Sequence, residues 1–511
     1  MRFSLSTIAC PLFLLAASVF PAASAENTCS PDPLEFSTSI GMKVEKVGAV
    51  PTNNTGAWSY NMMPADNFDD ALFFMDQSEG MIYSYDDSDS SVTKVFDMAT
   101  SDLPAGITLD WTYGGAGQTF KVHAMSQGKT SDEVYVVFMS STLPTGWTKA
   151  DATLPPEDAY PGYACNGTVF FKDLYRIGLL PDCFNSGAGL TTFTAYEIFT
   201  KFTLANGKLT NPKAFFVSEM QVSPGHMGGG IVTVDDKGKI LWGVGDCLPF
   251  GTDGRYAPQL NREICGKIIL IDPETQSYDV VAKGVRNSQQ FRVFNKKDKY
   301  PKLTNARDTL AFMDIGGVTA EEVNAKWLSK ICDTKKVDNF GWGRSIVDGK
   351  AREGTFYVQP GILGYLGSEP PCDSAAPSPE KGYNQPWIQF GRTATDYFYA
   401  ISSFAIAYKS FDELELIWSE FNTGYIMGTP NKFKGGYDSN LGVAKGYKLK
   451  LYDADGKYLE NGCNDLVKEE LGEVGYYRGD PRLFHYPDGT AGVFIERTGV
   501  FYRLTEIATT L

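Results

Sequence analysis

Short strand-forming segments separated by tight turns recur along the chain, and this pattern limits the folds open to it. Apolar strands flank turns of Asp or Asn with Gly in FTLANGKLT (202–210), VTVDDKGKILW (232–242), LYDADGKYLE (451–460) and FHYPDGTAGVF (484–494). The 52 glycines and 27 prolines supply the turns that many short strands need. The pattern predicts an all-β fold in which four-stranded antiparallel units repeat around a ring, as in a β-propeller.

One segment favours a helix. TAEEVNAKWLSKIC (319–332) places Thr319 as an N-cap with Glu322 three residues later, which is the spacing of a capping box. No low-complexity linker interrupts the chain, so residues 26–511 are expected to form a single domain. Turn-rich stretches after Pro144 and at 367–386 are predicted to be loop insertions.

The first residues are typical of a secretory signal peptide. Arg2 precedes the apolar stretch LSTIACPLFLLAASVF (5–20), and Ala23-Ser24-Ala25 is a small-residue cleavage site. We expect residues 1–25 to be removed and the rest of the chain to be secreted, with an uncleaved anchor helix as the alternative. No later segment approaches the length of a membrane span, since the closest, AISSFAIAY (400–408), has nine residues.

The cysteine count agrees with an oxidising compartment. Eight cysteines remain once Cys10 leaves with the signal peptide, and an even number predicts up to four disulfides. Proximity in the sequence favours the pairs Cys247–Cys265 and Cys165–Cys183.

Charge and missing motifs exclude several classes of function. A formal net charge of −15 opposes binding to nucleic acid, which rewards basic surfaces. No dinucleotide glycine fingerprint opens a helix, and no Gly-x-Ser-x-Gly elbow joins a strand to a helix. His123, His226 and His485 are far apart in sequence, so a zinc site is not indicated, and His123 and His485 are interpreted as structural. Sequons at Asn53 and Asn166 predict N-glycosylation if the source is a eukaryote.

The segment SPGHMGGGIVTVDDKGKILWGVGD (223–246) predicts a hairpin with polar groups at its open end. Its turn at Asp236-Lys237-Gly238 lies near the midpoint, so His226 and Asp246 come to the same end. A second hairpin, with strands GKIILID and SYDVVAKG, carries Arg286 to that end. An imidazole, a carboxylate and a guanidinium on one rim would supply a titrating base, a group that orients it and a fixed cation.

Structural interpretations of these residues stay open. A His at the start of a strand usually satisfies a local hydrogen bond, an Asp after a strand usually forms a turn, and an Arg at a strand end is usually solvated. The glycines 228–230 favour a functional interpretation, because they let the backbone approach a ligand closely. The tryptophans are expected mainly in the core, and Trp342 is a candidate for either the core or the site.

Six motifs, from this hairpin to the C-terminus, resemble in order those of the soluble quinoprotein sugar dehydrogenases, the glucose/sorbosone dehydrogenase family. The motifs are His226-Met227-Gly228-Gly229 with Gly245-Asp246, residues 266–273, Gly284-Val285-Arg286-Asn287, Asp314-Ile315-Gly316-Gly317 with 321–324, Asn339-Phe340-Gly341-Trp342, and 477–482 with 486–489. The first 190 or so residues match only loosely. The resemblance implies a six-bladed β-propeller.

The resemblance also implies a reaction. Pyrroloquinoline quinone (PQQ) and a calcium ion would lie on the top face of the propeller. His226 would act as general base on the anomeric hydroxyl of a sugar, and a hydride would pass to the quinone to give the lactone. Asp246 would orient the imidazole, and Arg286 would stabilise charge on a quinone oxygen. The implied partners are a sugar substrate and an external electron acceptor.

Cofactor contacts follow from the same resemblance. The cofactor-binding residues would be Arg286, Asn287, Arg478, Arg482 and Gln118. Calcium would be held by backbone carbonyls near Gly316 and Gly317, since this ion prefers oxygen ligands. The chain departs from the family at Ser288, where Pro is usual, and at Gly317, where the glucose-oxidising members have Pro.

Two other functions compete with a dehydrogenase. A non-catalytic secreted propeller that binds a glycan or a protein partner is favoured by the disulfides and by the departures from the cofactor motifs. The presence of His226, Asp246 and Arg286 disfavours it, since a binding protein does not need that trio. A propeller hydrolase such as a lactonase would need several carboxylate or amide ligands around calcium, and the sequence indicates no such cluster.

Overall fold

The computed structural model shows that the described part of the chain is largely β-strand, as the sequence predicts. The described residues are 34–51, 62–109, 112–113, 118–119, 121–148, 164–165, 168–169, 193–222, 227–246, 264–294, 308–316, 320–342, 344–347, 350–353, 384, 386–391, 400–406, 409–421, 423–433, 444–472 and 479–509. The predicted signal peptide, both sequons and most of the insertion at 367–386 lie outside them.

The strands are short and follow one another closely. In chain order they are β1 Phe36–Ala49, β2 Met62–Ala65, β3 Leu72–Asp76, β4 Met81–Asp86, β5 Ser91–Asp97, β6 Thr112–Tyr113, β7 Gln118–Thr119, β8 Val122–Gln127, β9 Glu133–Ser140, β10 Ala164–Cys165, β11 Thr168–Val169, β12 Phe193–Ala205, β13 Lys208–Val222, β14 Gly228–Thr233, β15 Ile240–Val244, β16 Lys267–Asp272, β17 Ser277–Lys283, β18 Ser288–Phe294, β19 Thr309–Asp314, β20 Ala320–Trp327, β21 Asp338–Asn339, β22 Arg344–Val347, β23 Lys350–Glu353, β24 Ile388–Gly391, β25 Ile401–Ile406, β26 Leu416–Glu420, β27 Ile426–Thr429, β28 Tyr447–Tyr452, β29 Tyr458–Leu459, β30 Pro481–His485, β31 Ala491–Ile495 and β32 Val500–Ala508. The helices of the described residues are α1 Leu328–Ile331 and α2 Cys463–Leu471, and neither is long and apolar enough to cross a membrane.

Four sheets have the four-stranded antiparallel form that the repeated motif predicts. Their strand orders are β2-β3-β4-β5, β13-β12-β9-β8, β14-β15-β16-β17 and β18-β19-β20-β24. In the third sheet, β21 adds a parallel strand beyond β17. Side-chain carboxylates hold the hairpin turns: Asp235 Oδ1 accepts hydrogen bonds from Lys237 N at 3.0 Å and from Lys239 N at 2.9 Å. Turn chemistry therefore fixes where each hairpin reverses.

A nine-stranded sheet joins the two ends of the chain. Its order is β25-β26-β27-β28-β1-β32-β31-β30, and the ninth strand, β29, pairs with β28 outside this order. The N-terminal strand β1 pairs antiparallel with the C-terminal strand β32 and parallel with β28. The sheet thus consists of two antiparallel runs of four strands, held together by one parallel pairing.

The inner edge strands of these sheets form a closed ring. In the cyclic order β2, β8, β14, β18, β25 and β30, each strand contacts the next, and β30 contacts β2. Residues on or next to all six strands line one small central cavity of about 60 Å³. The arrangement is propeller-like, with the sheets standing around a common axis.

Apolar side chains fill the spaces between neighbouring sheets. Trp242 of β15 is fully buried, and its ring lies 5.1 Å from that of Phe199 in β12, so it joins the second and third sheets. The inner strands approach each other so closely that a Cβ on Gly230 would lie 2.2 Å from Phe291 Cδ1. Interiors packed at this density leave no room for larger residues at such positions.

The prediction of a helix at 319–332 is wrong for most of these residues. Residues Ala320–Trp327 form β20, which pairs with β19 on one side and with β24 on the other, and only Leu328–Ile331 is helical. Val323 and Ala325 are buried inside the sheet. Pairing on both edges together with burial outweighs a capping box, which stabilises a helix end by only about 1 kcal/mol.

The upper limit of four disulfides is also wrong, because two cysteines are free thiols. Cys463 is buried in the core, Cys332 is half-buried, and neither is bonded. Burial raises the pKa of both thiols to about 12. Cys265 is disulfide-bonded. Its predicted partner Cys247 lies outside the described residues, so this pairing stays a prediction, as does Cys165–Cys183.

A buried ion pair ties the inner strands together. Asp66, which follows β2, binds the guanidinium of Arg292 in β18 and accepts a hydrogen bond from the backbone N–H of His485 in β30. Arg292 also donates to Phe404 O at 3.2 Å and to Leu483 O at 3.3 Å. Burial acts to raise the pKa of Asp66, but Arg292 and His485 outweigh burial and hold this pKa below its ordinary range. Four of the six ring strands thus share one polar network.

Replacing Asp66 with Ala should destabilise the ring. The variant leaves the Arg292 guanidinium buried without its carboxylate, and losing one partner of a buried ion pair costs roughly 3–5 kcal/mol. Denaturant unfolding measures the loss, and the exposed Asp455→Ala is the matched control. A carboxylate with a lowered pKa contributes stability that is lost as the pH falls through the acid range, so the difference from wild type should shrink below about pH 4. Equal stability of Asp66→Ala and wild type at neutral pH would contradict this account.

Candidate functional site

The open ends of two hairpins meet at one edge of the third sheet. As predicted, β14 and β15 flank a turn at residues 234–239, and β16 and β17 flank a turn at 273–276. At the opposite edge, Asp246 N donates a hydrogen bond to Arg286 O at 2.6 Å. The two residues therefore lie on a common rim, as the hairpin pattern predicts.

The carboxylate of Asp246 is fully buried and is bonded to an indole. Trp342 Nε1 donates to Asp246 Oδ2 at 3.0 Å. The indole is positioned because β21 runs parallel to β17 and because Trp342 N donates to Gly284 O at 2.7 Å. The guanidinium carbon of Arg286 lies 5.5 Å from the centroid of the Trp342 ring, within cation–π range. Trp342 therefore contacts both the anion and the cation of the rim.

Asp314, at the end of β19, holds the backbone of the residues that follow β17. Its carboxylate accepts hydrogen bonds from Arg286 N at 3.0 Å and from Asn287 N at 2.7 Å. Asn287 Oδ1 accepts in turn from Gly228 N at 3.0 Å. One carboxylate thus fixes both the loop that carries Arg286 and the start of β14. The strand-end site, as we use the term, consists of Asp246, Arg286, Asn287, Asp314 and Trp342.

The Arg286 guanidinium faces the loop that follows β19. Its Nη1 donates to Ile315 O at 2.6 Å and to Gly316 O at 2.7 Å. The peptide unit that carries the Ile315 carbonyl is anchored independently, since its N–H, Gly316 N, donates to Glu321 Oε2 at 3.0 Å. One residue earlier, Ile315 N donates to Asn287 O at 3.3 Å. Two carbonyl oxygens therefore converge on one cationic nitrogen.

Two buried carboxyl groups face each other next to this loop. Asp314 and Glu322 are cross-strand partners in the register of β19 and β20. Burial raises the pKa of Asp314 to about 7; the backbone N–H groups of Arg286 and Asn287 act against this rise, while the charge of Asp246 adds to it. Burial, and then the charge of Asp314, raises the pKa of Glu322 to about 8. Near neutral pH the pair therefore retains a proton.

The structure brings together part of the predicted catalytic set. Asp246 and Arg286, two of the three predicted catalytic residues, lie beside the predicted cofactor residue Asn287. His226 lies outside the described residues, although Gly228, two residues later, is bonded to Asn287.

Of the other predicted cofactor residues, only Arg482 has a described side chain. It lies in β30, where Nε donates to Glu496 Oε1 at 2.8 Å and the side chain is largely buried. Gln118 belongs to β7, of which only the backbone is described. Arg478 and the predicted calcium residue Gly317 lie outside the described residues, whereas Gly316 is bonded to Arg286.

The sequence assigns no role to Asp314 and leaves Trp342 as a candidate for either the core or the site. Asp314 ends a strand directly before Ile315-Gly316, much as Asp246 follows the end of β15, and this parallel is the signal that could have identified it. For Trp342 the signal is the residue before it, because Gly341 adopts a φ of 95°, a backbone conformation that favours glycine.

The residues of the site suit a flat anionic ligand better than a calcium ion. The Arg286 guanidinium can pair with a carboxylate or a quinone oxygen, and the Trp342 indole beside it adds a planar aromatic surface to the rim. Calcium would need the Gly316 carbonyl, which accepts a hydrogen bond from Arg286. Among the described residues, no group of three or more His, Cys, Asp or Glu side chains could hold a metal ion. The described residues therefore offer contacts for a planar anion, and the Gly316 carbonyl is already bonded to Arg286.

Fold and site together define a class: an all-β, propeller-like protein with a carboxylate, an indole and a guanidinium at one rim of strand ends. Solved structures of sugar dehydrogenases are similar to the chain over nearly its whole length. They include the PQQ-bound aldose sugar dehydrogenase of Streptomyces coelicolor, with 14% identity, a TM-score of 0.46, and coverage of 91% of this chain and 98% of that chain.

Two further structures are similar to the same extent. The apo-form of the soluble aldose sugar dehydrogenase of Escherichia coli has 13% identity and a TM-score of 0.46, with 94% of this chain and 99% of that chain covered. A glucose dehydrogenase has 13% identity and a TM-score of 0.49, with 90% and 98% covered. At these values the similarities carry no information on the chemistry of this chain. No protein-family model matches the chain, and neither does any curated protein.

The buried carboxyl pair predicts a stability that falls as the pH rises. Folded Glu322 keeps its proton up to about pH 8, whereas the unfolded chain loses it above the ordinary pKa of 4.5. The unfolded state therefore binds fewer protons in this window, and the free energy of unfolding falls with rising pH. Glu322→Gln removes this titration, so its stability should fall less steeply than that of wild type between about pH 4.5 and 8.

Chemical denaturation at a series of pH values measures both slopes. The exposed Glu413→Gln is the matched control and should keep the wild-type slope, because it removes a glutamate without changing the buried pair. Parallel pH profiles for wild type and Glu322→Gln would contradict a protonated, buried Glu322.

Proposed function

We propose that the protein is a secreted, quinone-dependent dehydrogenase that oxidises the anomeric hydroxyl of an aldose or a related sugar to the lactone. The observation that carries the proposal is the convergence of Asp246, Arg286 and Asn287 on one rim. The cyclic contacts of six inner strands, and the two antiparallel runs of the nine-stranded sheet, support a propeller of six blades. The signal-peptide pattern at the start of the chain supports secretion.

His226 is the proposed general base. The support for this proposal is the place of His226 in the sequence, two residues before Gly228, whose N–H donates to Asn287 Oδ1. Its imidazole takes the proton of the anomeric hydroxyl. Asp246, whose Oδ2 is fixed by the Trp342 indole, orients the imidazole by accepting its other N–H.

The remaining members of the site bind and orient the reactants. PQQ, when bound, supplies the acceptor for the hydride that leaves the anomeric carbon. Arg286 would pair with an anionic oxygen of this ligand, and the Trp342 indole would supply an aromatic surface beside it. The sugar loses one hydride and one proton, and an external acceptor removes the two electrons afterwards. We assign no step to calcium. The resemblance implies the Gly316 carbonyl as a calcium ligand, but this carbonyl accepts a hydrogen bond from Arg286.

Dye reduction by the purified protein, supplied with quinone and an aldose, tests the proposal. His226→Ala should lower kcat by roughly 10²–10⁴-fold, the range typical of removing a general base. Asp246→Asn should also lower kcat, because the amide leaves the imidazole in the wrong tautomer. The exposed Asp455→Asn is the matched control and should retain wild-type turnover, with far-ultraviolet circular dichroism showing that each variant folds. Full activity of His226→Ala, or no quinone-dependent turnover by wild type, would contradict the assignment.

A non-catalytic propeller that binds a glycan or a protein partner is the second candidate. One observation favours it: Arg482, expected to pair with carboxylates of the cofactor, is bonded to the buried Glu496. Titration with the quinone, followed by absorbance, separates the two functions. Binding at micromolar concentrations favours the dehydrogenase, and no binding favours the second candidate.

A further inference from the structure

We propose that the Arg286 guanidinium is the resident cation of the carbonyl pair formed by Ile315 and Gly316, in place of a calcium ion. The two oxygens lie 2.6 and 2.7 Å from the same atom, Arg286 Nη1. Calcium binds protein oxygens at about 2.3–2.6 Å. An ion bound to both carbonyls would therefore occupy the position of Nη1, and the two cations exclude each other.

The arginine is held in this position by its own backbone contacts. Arg286 N donates to both carboxylate oxygens of Asp314, at 3.1 and 3.0 Å, and Arg286 O accepts from Asp246 N at 2.6 Å. The Trp342 ring lies against the guanidinium, with 5.5 Å between the ring centroid and the guanidinium carbon. Residues of three neighbouring elements therefore hold Arg286 in place, which distinguishes it from a mobile arginine at the surface.

The segment that carries the two carbonyls has anchors besides the arginine. Gly316 N donates to Glu321 Oε2 at 3.0 Å, and that buried carboxylate also accepts from Ile401 N at 3.2 Å. Ile315 N donates to Asn287 O at 3.3 Å. Because the Ile315–Gly316 peptide unit is anchored through Gly316 N, the Ile315 carbonyl should keep its direction when the guanidinium is removed, and the space beside it should then accept another cation.

The charge of Arg286 makes the exchange unfavourable for calcium. A guanidinium stays charged at every physiological pH, so loss of a proton does not remove this cation from the carbonyl pair. If calcium displaced the side chain, the guanidinium would remain tethered nearby through its backbone, and the two cations would repel each other. The inference depends on these hydrogen bonds and charges alone, and not on the proposed oxidation of a sugar.

Calcium titration of the EDTA-treated full chain by isothermal calorimetry tests the inference. Wild type should bind no calcium at the rim. Arg286→Ala should gain one site with a Kd on the order of 10⁻⁴–10⁻³ M, as expected for a site of few ligands. Terbium serves as a second probe, because a nearby tryptophan sensitises its emission. The emission should appear in Arg286→Ala and disappear when Trp342→Phe is added.

Arg503→Ala is the matched control, because it removes an arginine bonded to Asp87 and Asp488 far from the carbonyl pair, and it should bind no more calcium than wild type. Should Arg286→Ala fail to fold, Arg286→Met keeps an unbranched side chain and tests the same loss of charge. Equal calcium affinities of wild type and the Arg286 variant would overturn the inference. Terbium emission from wild type that Trp342→Phe abolishes would also overturn it. Neither readout uses turnover, so failure of the proposed dehydrogenase activity would leave this test unaffected.

Discussion

Closure of the ring by the N-terminal strand is the constraint on which the rest of the structure depends. Strand β1 lies between β32 and β28, where Val44 pairs with Leu504 and Met42 with both Glu506 and Leu451. A sheet of this kind has an unpaired edge until the last strand is in place, and closure removes that edge. The inner strands can then meet around the axis, where the Asp66–Arg292 pair spans the first and fourth sheets.

The strand-end site follows from this closure and from buried carboxylates that bind backbone. Asp314 accepts from the residues after β17, and Glu321 accepts from Gly316 and from Ile401 of the next sheet. Each carboxylate satisfies N–H groups that the end of a strand leaves without a ladder partner. The loops of the rim are therefore held by side chains, which explains how irregular backbone can present groups at fixed positions.

Turn chemistry and strand length account for much of what the sequence predicts about the fold and the site. The Asp-Gly turns fix where the hairpins reverse, and a reversal near the midpoint is enough to place Asp246 and Arg286 at one edge. The predicted helix at 319–332 fails for the opposite reason. A capping box is a local signal, whereas the strand form of Ala320–Trp327 depends on β19 and β24, and β24 begins 61 residues after β20 ends. Local signals mark Asp314 and Trp342 as candidates, but the partners of their side chains lie on distant segments and cannot be identified from the neighbouring sequence.

A crystal structure of the protein soaked with PQQ would show whether a redox cofactor binds at the strand-end site. We expect density for a flat ring system at the rim, beside the Trp342 indole and within hydrogen-bonding distance of the Arg286 guanidinium. Density for the quinone elsewhere on the molecule, or a rim without quinone density although the quinone binds in solution, would contradict this assignment.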